Sequence, residues 1–160
     1  MRTRLISIVT ALAAALAVAT PVLSFDLPKI LGGQGDEENL NTFKIIHVAD
    51  LSSLMNDKDA KIQIYDANGS DTRDKYGVIP GATMLPSADA YDVATTLPKV
   101  KSAPIVFYCA NTHCLASHEA ARRAVNAGYT NVSVMADGIM GWKAAGEPTT
   151  PPPVQTSSNS

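Results

Sequence analysis

The sequence predicts an α/β domain built on a central parallel sheet with helices on both faces. Three observations carry this. Residues 105–108, Ile-Val-Phe-Tyr, form an uninterrupted apolar run behind Pro104, the pattern of a strand buried on both faces. Strand-like runs alternate with helix-like segments at short spacing between residues 43 and 148, as crossover connections between parallel strands require. The composition, 46% apolar and 18% charged, is that of an ordinary globular protein, and the chain has room for one domain once its ends are discounted.

The first 24 residues read as a signal peptide. Arg2 and Arg4 supply a positive start, residues 5–18 are apolar and alanine-rich, and Pro21 breaks the helix before small residues suited to cleavage. Cuts after Ala19 and after Ser24 both fit, with Ser24 preferred. The apolar run is shorter than the roughly 20 residues that span a bilayer, so export to the periplasm or beyond is expected, with no stable membrane anchor after cleavage. Losing two arginines and no acid moves the net charge from −2 to −4. Residues 25–42 contain Gly32, Gly33, Gly35 and an acidic run at 36–38, and read as a flexible linker. These glycines open no helix, so no phosphate loop is present. No basic patch interleaved with aromatics exists, and nucleic acid is not an expected partner.

Residues 45–48 form a short first strand, with His47 in a structural role, and Asp50 caps a helix to Met55 that turns Leu51 and Leu54 inward. Ile62, Ile64 and Tyr65 make a second strand ending at Asp66. A polar connection follows, closing in a turn at Pro80-Gly81. Residues 83–85 are a brief strand, and Ser87 caps a helix to about Thr96. After the central strand, a helix with Ala120, Ala121, Ala124 and Val125 on its apolar face ends at Gly128, a residue suited to the left-handed position past a helix. A strand at 132–135 and a helix at 139–145, anchored by Trp142, complete the domain. Residues 149–160 are proline- and serine-rich and read as a disordered tail.

The chain's two cysteines, Cys109 and Cys114, stand in the loop between the central strand and its helix. A cysteine at the carboxyl end of a parallel strand, facing a helix N-terminus, sits where backbone N–H groups and the helix dipole favour an anion. Such a setting predicts a lowered thiol pKa and a nucleophilic thiolate. Export would put both thiols in an oxidising space, where a Cys109–Cys114 disulfide competes with free-thiol chemistry. Cys114 fits a resolving thiol as well as a small buried residue. The spacing of Cys109, His113, Cys114 and His118 also permits a soft-metal site, though it matches no standard zinc pattern; no metal and no cofactor is assigned. His118, on the first helical turn, is a candidate acid/base or a solvent-facing histidine. Asp66 either orients the loop or starts an Asx-turn, and Arg73 and Lys75 are candidate anion-steering groups on a charged loop.

Three segments resemble the rhodanese-like (sulfurtransferase) family over residues 43–148. Ile-Tyr-Asp-Ala-Asn at 64–68 with Gly-Val-Ile-Pro-Gly-Ala at 77–82 is similar to its first signature, an Asp-x-Arg and then Gly-His-Ile-Pro-Gly-Ala. Ile-Val-Phe-Tyr-Cys at 105–109 resembles the strand leading to its catalytic cysteine. Residues 128–148, containing Asp-Gly-Ile-Met-Gly-Trp and ending Ala-Gly-Glu-Pro, resemble its closing signature. The resemblance implies a three-layer domain in which Cys109 carries a persulfide. Ala110, Asn111, Thr112, His113, Cys114 and Leu115 would then supply the backbone cradle. It further implies a small sulfur-donor anion or persulfide and a thiol acceptor as partners. Asn68 stands where the signature has Arg, Val78 where it has His, and the loop runs about two residues longer without a glycine or arginine. Related dual-specificity phosphatases need a loop Arg for the phosphoryl oxygens. Arg122 and Arg123 lie well down the helix, so phosphatase activity is not expected.

Overall fold

A computed structural model of the chain describes residues 42–153. The signal peptide expected at 1–24, nearly all of the linker and residues 154–160 of the tail lie outside the described residues. In chain order the elements are β1 (Lys44–Ile46), α1 (Val48–Asn56), β2 (Gln63–Asp66), α2 (Ser70–Tyr76), β3 (Thr83–Met84), α3 (Val93–Thr96), β4 (Ile105–Tyr108), α4 (Ala116–Asn126), β5 (Val132–Met135) and α5 (Gly138–Ala144). The strands form one sheet in the order β1-β5-β4-β2-β3, and every pairing is parallel. Among the described residues no helix is long and apolar enough to cross a membrane.

Side chains alternate across a strand, so β4 divides its residues between two cores. Ile105, Phe107 and Cys109 pack with Tyr65, Val132 and Val134 against Ala120, Ala121, Ala124 and Val125 of α4. Val106 and Tyr108 face the other way, against Leu51 of α1 and Ile139 and Trp142 of α5. The expected parallel sheet with helices on both faces is therefore present. Its central strands β4 and β5 are buried throughout. Gly128, just past α4, has φ +89°, the left-handed conformation for which the helix end selected it.

Five local expectations are corrected. The first strand ends at Ile46 and the helix starts at Val48, because the Asp137 carboxylate accepts from Val48 N–H (3.0 Å) and contacts His47 Nδ1 (3.0 Å). Asp50 is not the cap; its carboxylate accepts from the His47 N–H at 2.8 Å, from inside the first turn. The polar connection holds a helix, α2, which has no apolar stripe but carries Asp71 in its first turn and Arg73 and Lys75 in its last. Ser87 caps no helix: its hydroxyl donates to Asp89, and the single turn of α3 is capped by Asp92, which accepts from Ala94 N–H at 2.9 Å. Finally, the tail does not begin free at residue 149. Thr150 and Val78 exchange two backbone hydrogen bonds, at 2.8 and 2.9 Å.

Candidate functional site

Cys109 follows directly on β4, at the carboxyl edge of the sheet beside the start of α4. Three elements hold its position. Pairing with β2 and β5 sets the depth of β4. The N-terminal turn of α5 holds the loop from below, with Ile139 N–H donating to the Cys109 carbonyl (2.8 Å) and Met140 N–H to that of Ala110 (3.0 Å). Gly138 makes this approach possible: a Cβ there would lie 2.4 Å from the Ala110 carbonyl carbon, and its φ is +66°.

The thiol is buried, with Cys109 2% exposed. Its Sγ donates to the Cys114 carbonyl at 3.1 Å and lies 3.2 Å from Ser117 Oγ in the first turn of α4. Burial first, and then hydrogen bonding to Cys114, push the thiol up to about 11 against the opposite pull of the Ser117 hydroxyl and N–H. The expected acidification is thus reversed, and the geometry shows why. Two of the cradle amides point elsewhere: His113 N–H donates to Asn111 Oδ1 (3.0 Å) and Cys114 N–H to the Asn111 carbonyl (3.1 Å). What faces the sulfur from Cys114 is a carbonyl, which suits a neutral S–H and opposes a thiolate. Both cysteines are free thiols, Cys109 buried and Cys114 half-buried.

The loop's remaining groups are more open. Thr112 and His113 are exposed, with His113 Nδ1 3.4 Å from Thr112 Oγ1. His118 is not brought to the sulfur: its ring packs edge-on against Phe43, centroids 5.6 Å apart, and its buried Nδ1 has no hydrogen-bond partner. Among the described residues no group of three or more His, Cys, Asp or Glu side chains is placed to hold a metal ion. The loop histidines and cysteines therefore do not converge as the soft-metal alternative needs.

Asp66, at the end of β2 and fully buried, accepts from Tyr108 Oη (2.7 Å) and from Asn68 N–H (2.7 Å). The second contact is the expected Asx-turn; the first ties Asp66 to the residue before Cys109. Tyr108 Oη in turn accepts from Ile79 N–H at 3.1 Å. Burial and the Asp66 carboxylate raise the Tyr108 pKa well above its usual value, so it stays a donor. Arg73 is not a steering group in solvent. It is buried, donates through one terminal nitrogen to the carbonyls of Asp66 (3.0 Å) and Leu85 (2.9 Å), and sets Nε 3.5 Å from Asp66 Oδ1. The guanidinium that the first signature lacks at residue 68 arrives from α2 instead. Lys75 is exposed over the Tyr76 ring, 5.2 Å from its centroid. At the carboxyl ends of β2 and β3, Asn68, Ser70, Arg73 and Pro86 help line a cleft of about 400 Å³. Ser117, Gly138 and Ile139 were not among the expected site residues; only the closing-signature glycine pointed toward any of them.

Comparison with known proteins converges on one family. The rhodanese-like domain model matches residues 47–145. A rhodanese-like domain from Anabaena sp. is 27% identical, with a TM-score of 0.52 and coverage of 74% of this chain and 86% of that one. A thiosulfate sulfurtransferase from Pseudomonas aeruginosa is 25% identical with a TM-score of 0.53, matching 66% of this chain but only 20% of its own length. A Rhodopseudomonas palustris protein of unknown function, described as a possible tyrosine phosphatase, shares the fold at 23% identity and a TM-score of 0.56, over 68% of this chain and 85% of that one. No curated protein matches the sequence.

Proposed function

Because this chain belongs to the rhodanese-like domain family, we propose that it is a sulfurtransferase-type domain that forms a persulfide on Cys109 and passes the sulfane sulfur to a thiophilic acceptor. One observation carries the reading: the Cys109 sulfur sits at the carboxyl end of the central strand, 3.2 Å from the Ser117 hydroxyl in the first turn of the eleven-residue helix α4. Once deprotonated, the sulfur attacks the outer sulfur of a donor. With thiosulfate the sulfur–sulfur bond breaks, sulfite leaves with its electron pair, and Cys109 keeps one added sulfur. An acceptor thiolate then attacks that sulfur and Cys109 departs as thiolate, a double displacement with ping-pong kinetics. The Ser117 hydroxyl and N–H are the donors placed to hold the anion at each stage. Residues 110–117 contain no Lys or Arg, so a persulfide donor fits better than the thiosulfate dianion. A thiol is the acceptor class, and the signal-like composition of the first 24 residues supports an exported setting for the reaction.

The test supplies reduced protein with thiosulfate or glutathione persulfide and cyanide as acceptor, measuring thiocyanate. The reading predicts turnover with the persulfide donor and its abolition in Cys109→Ser. Turnover surviving in that variant would move the chemistry off Cys109. A second reading, a binding module of the same fold without catalysis, is favoured by the burial of Cys109. It is selected if intact protein yields no thiocyanate from either donor.

A further inference from the structure

We propose that Cys114 resolves the Cys109 persulfide within the chain, so that the domain releases its sulfur as hydrogen sulfide and is left with a Cys109–Cys114 disulfide. This rests on the persulfide reading above and gives the same site a second outcome. The Cys114 carbonyl lies against the Cys109 sulfur at 3.1 Å, and the Cys114 side chain packs against the core cluster that contains Cys109. The turn that puts Cys114 there is closed twice over Asn111, by Cys114 N–H to its carbonyl and His113 N–H to its side chain. Cys109 is buried and Cys114 half-buried, followed by Leu115, which is 72% exposed. A sulfur added to Cys109 therefore has the Cys114 thiol as a nucleophile in its own loop, in competition with any external acceptor.

In the resolving step the Cys114 sulfur attacks the inner sulfur of the persulfide. The bond between the Cys109 sulfur and the outer sulfur breaks, and the outer sulfur leaves with the electron pair, taking up the Cys114 proton as hydrogen sulfide. The two cysteines are oxidised by two electrons and the sulfane sulfur is reduced by two. An external dithiol, oxidised to its own disulfide, restores the pair. Attack on the outer sulfur would instead expel the Cys109 thiolate. Burial makes that the poorer leaving group, and exchange favours departure of the more acidic partner.

The experiment loads reduced full-length protein with glutathione persulfide, removes the donor rapidly, and follows three readouts: free sulfide, cyanide-labile sulfur, and mass without reductant. Wild type is expected to release one sulfide per chain as its cyanide-labile sulfur decays, ending two hydrogens lighter. Cys114→Ser, once loaded, is expected to hold its sulfur about tenfold longer or more. The proposal is overturned if wild type holds its sulfur as long as Cys114→Ser, or if fragment masses locate the sulfur on Cys114. If wild type neither loads nor releases sulfur, the persulfide reading falls and this proposal with it. The wild-type mass and sulfide yield require no variant, so a folding failure of Cys114→Ser leaves the decision intact.

Discussion

At the scale of single residues, the proposed chemistry turns on the proton of Cys109. The thiol is held neutral by burial and by a carbonyl, and its pKa is pushed up to about 11 from an ordinary 9.0. At neutral pH the thiolate fraction is then about a hundredfold below that of an unperturbed thiol. The rate of Cys109 alkylation by iodoacetamide should therefore rise about tenfold per pH unit from 7 to 10, with no plateau near 9. A plateau at or below pH 8 would show that the loop amides stabilise the anion after all. Asp66 and Arg73 illustrate the opposite relation between residue type and role. Both have the charge of a substrate-binding group, yet each is buried beside the other, Asp66 accepting from Tyr108 and the Asn68 N–H and Arg73 donating to the carbonyls of Asp66 and Leu85.

At the scale of elements, the site depends on how closely the start of α5 approaches the loop after Cys109. Only a residue without a Cβ fits at 138, where the backbone is left-handed and the Ala110 carbonyl group sits within 2.5 Å of the added atom. Gly138→Ala should lower unfolding stability by about 2 kcal/mol or more. It should also displace Ala110, releasing the hydrogen bonds from Ile139 and Met140. Denaturant unfolding, with amide exchange at those two residues, measures both effects; an unchanged midpoint would refute the close approach. Helix α2 makes a further point about elements. Its sequence, Ser-Asp-Thr-Arg-Asp-Lys-Tyr, has no apolar periodicity, and it matters because it carries Arg73 back to Asp66.

At the scale of the whole domain, titratable groups in both cores resist ionisation. Burial raises Tyr65 to about 12, and burial likewise raises Tyr91 and Tyr108. With Cys109, these groups keep protons in the folded state that the unfolded chain has already lost. Stability is therefore fully present below about pH 9 and falls as pH climbs through the folded values. The urea midpoint should drop between pH 8 and pH 11, and a flat profile would show that these groups ionise normally in the fold. The same two-sided burial makes the domain readable as α/β: β4 gives alternate residues to each core, and neither face of its sheet is left to solvent.

The local pattern of the chain by itself determined the central strand, the alanine face of α4 with its Gly128 stop, and a cysteine at the strand's carboxyl end. Each depends on interactions between near neighbours or on simple burial, and both leave a periodic trace. What only the tertiary structure decided is the state of that cysteine. The orientation of the Cys114 carbonyl, the two Asn111 hydrogen bonds and the grip of α5 on Ala110 join residues up to 30 positions apart, in a loop with no period to read. The same holds for Arg73, whose charge reads as solvent-seeking until the fold places a buried carboxylate beside it. A motif names the atom that reacts, but the dielectric around that atom is a property of packing, and packing sets its proton.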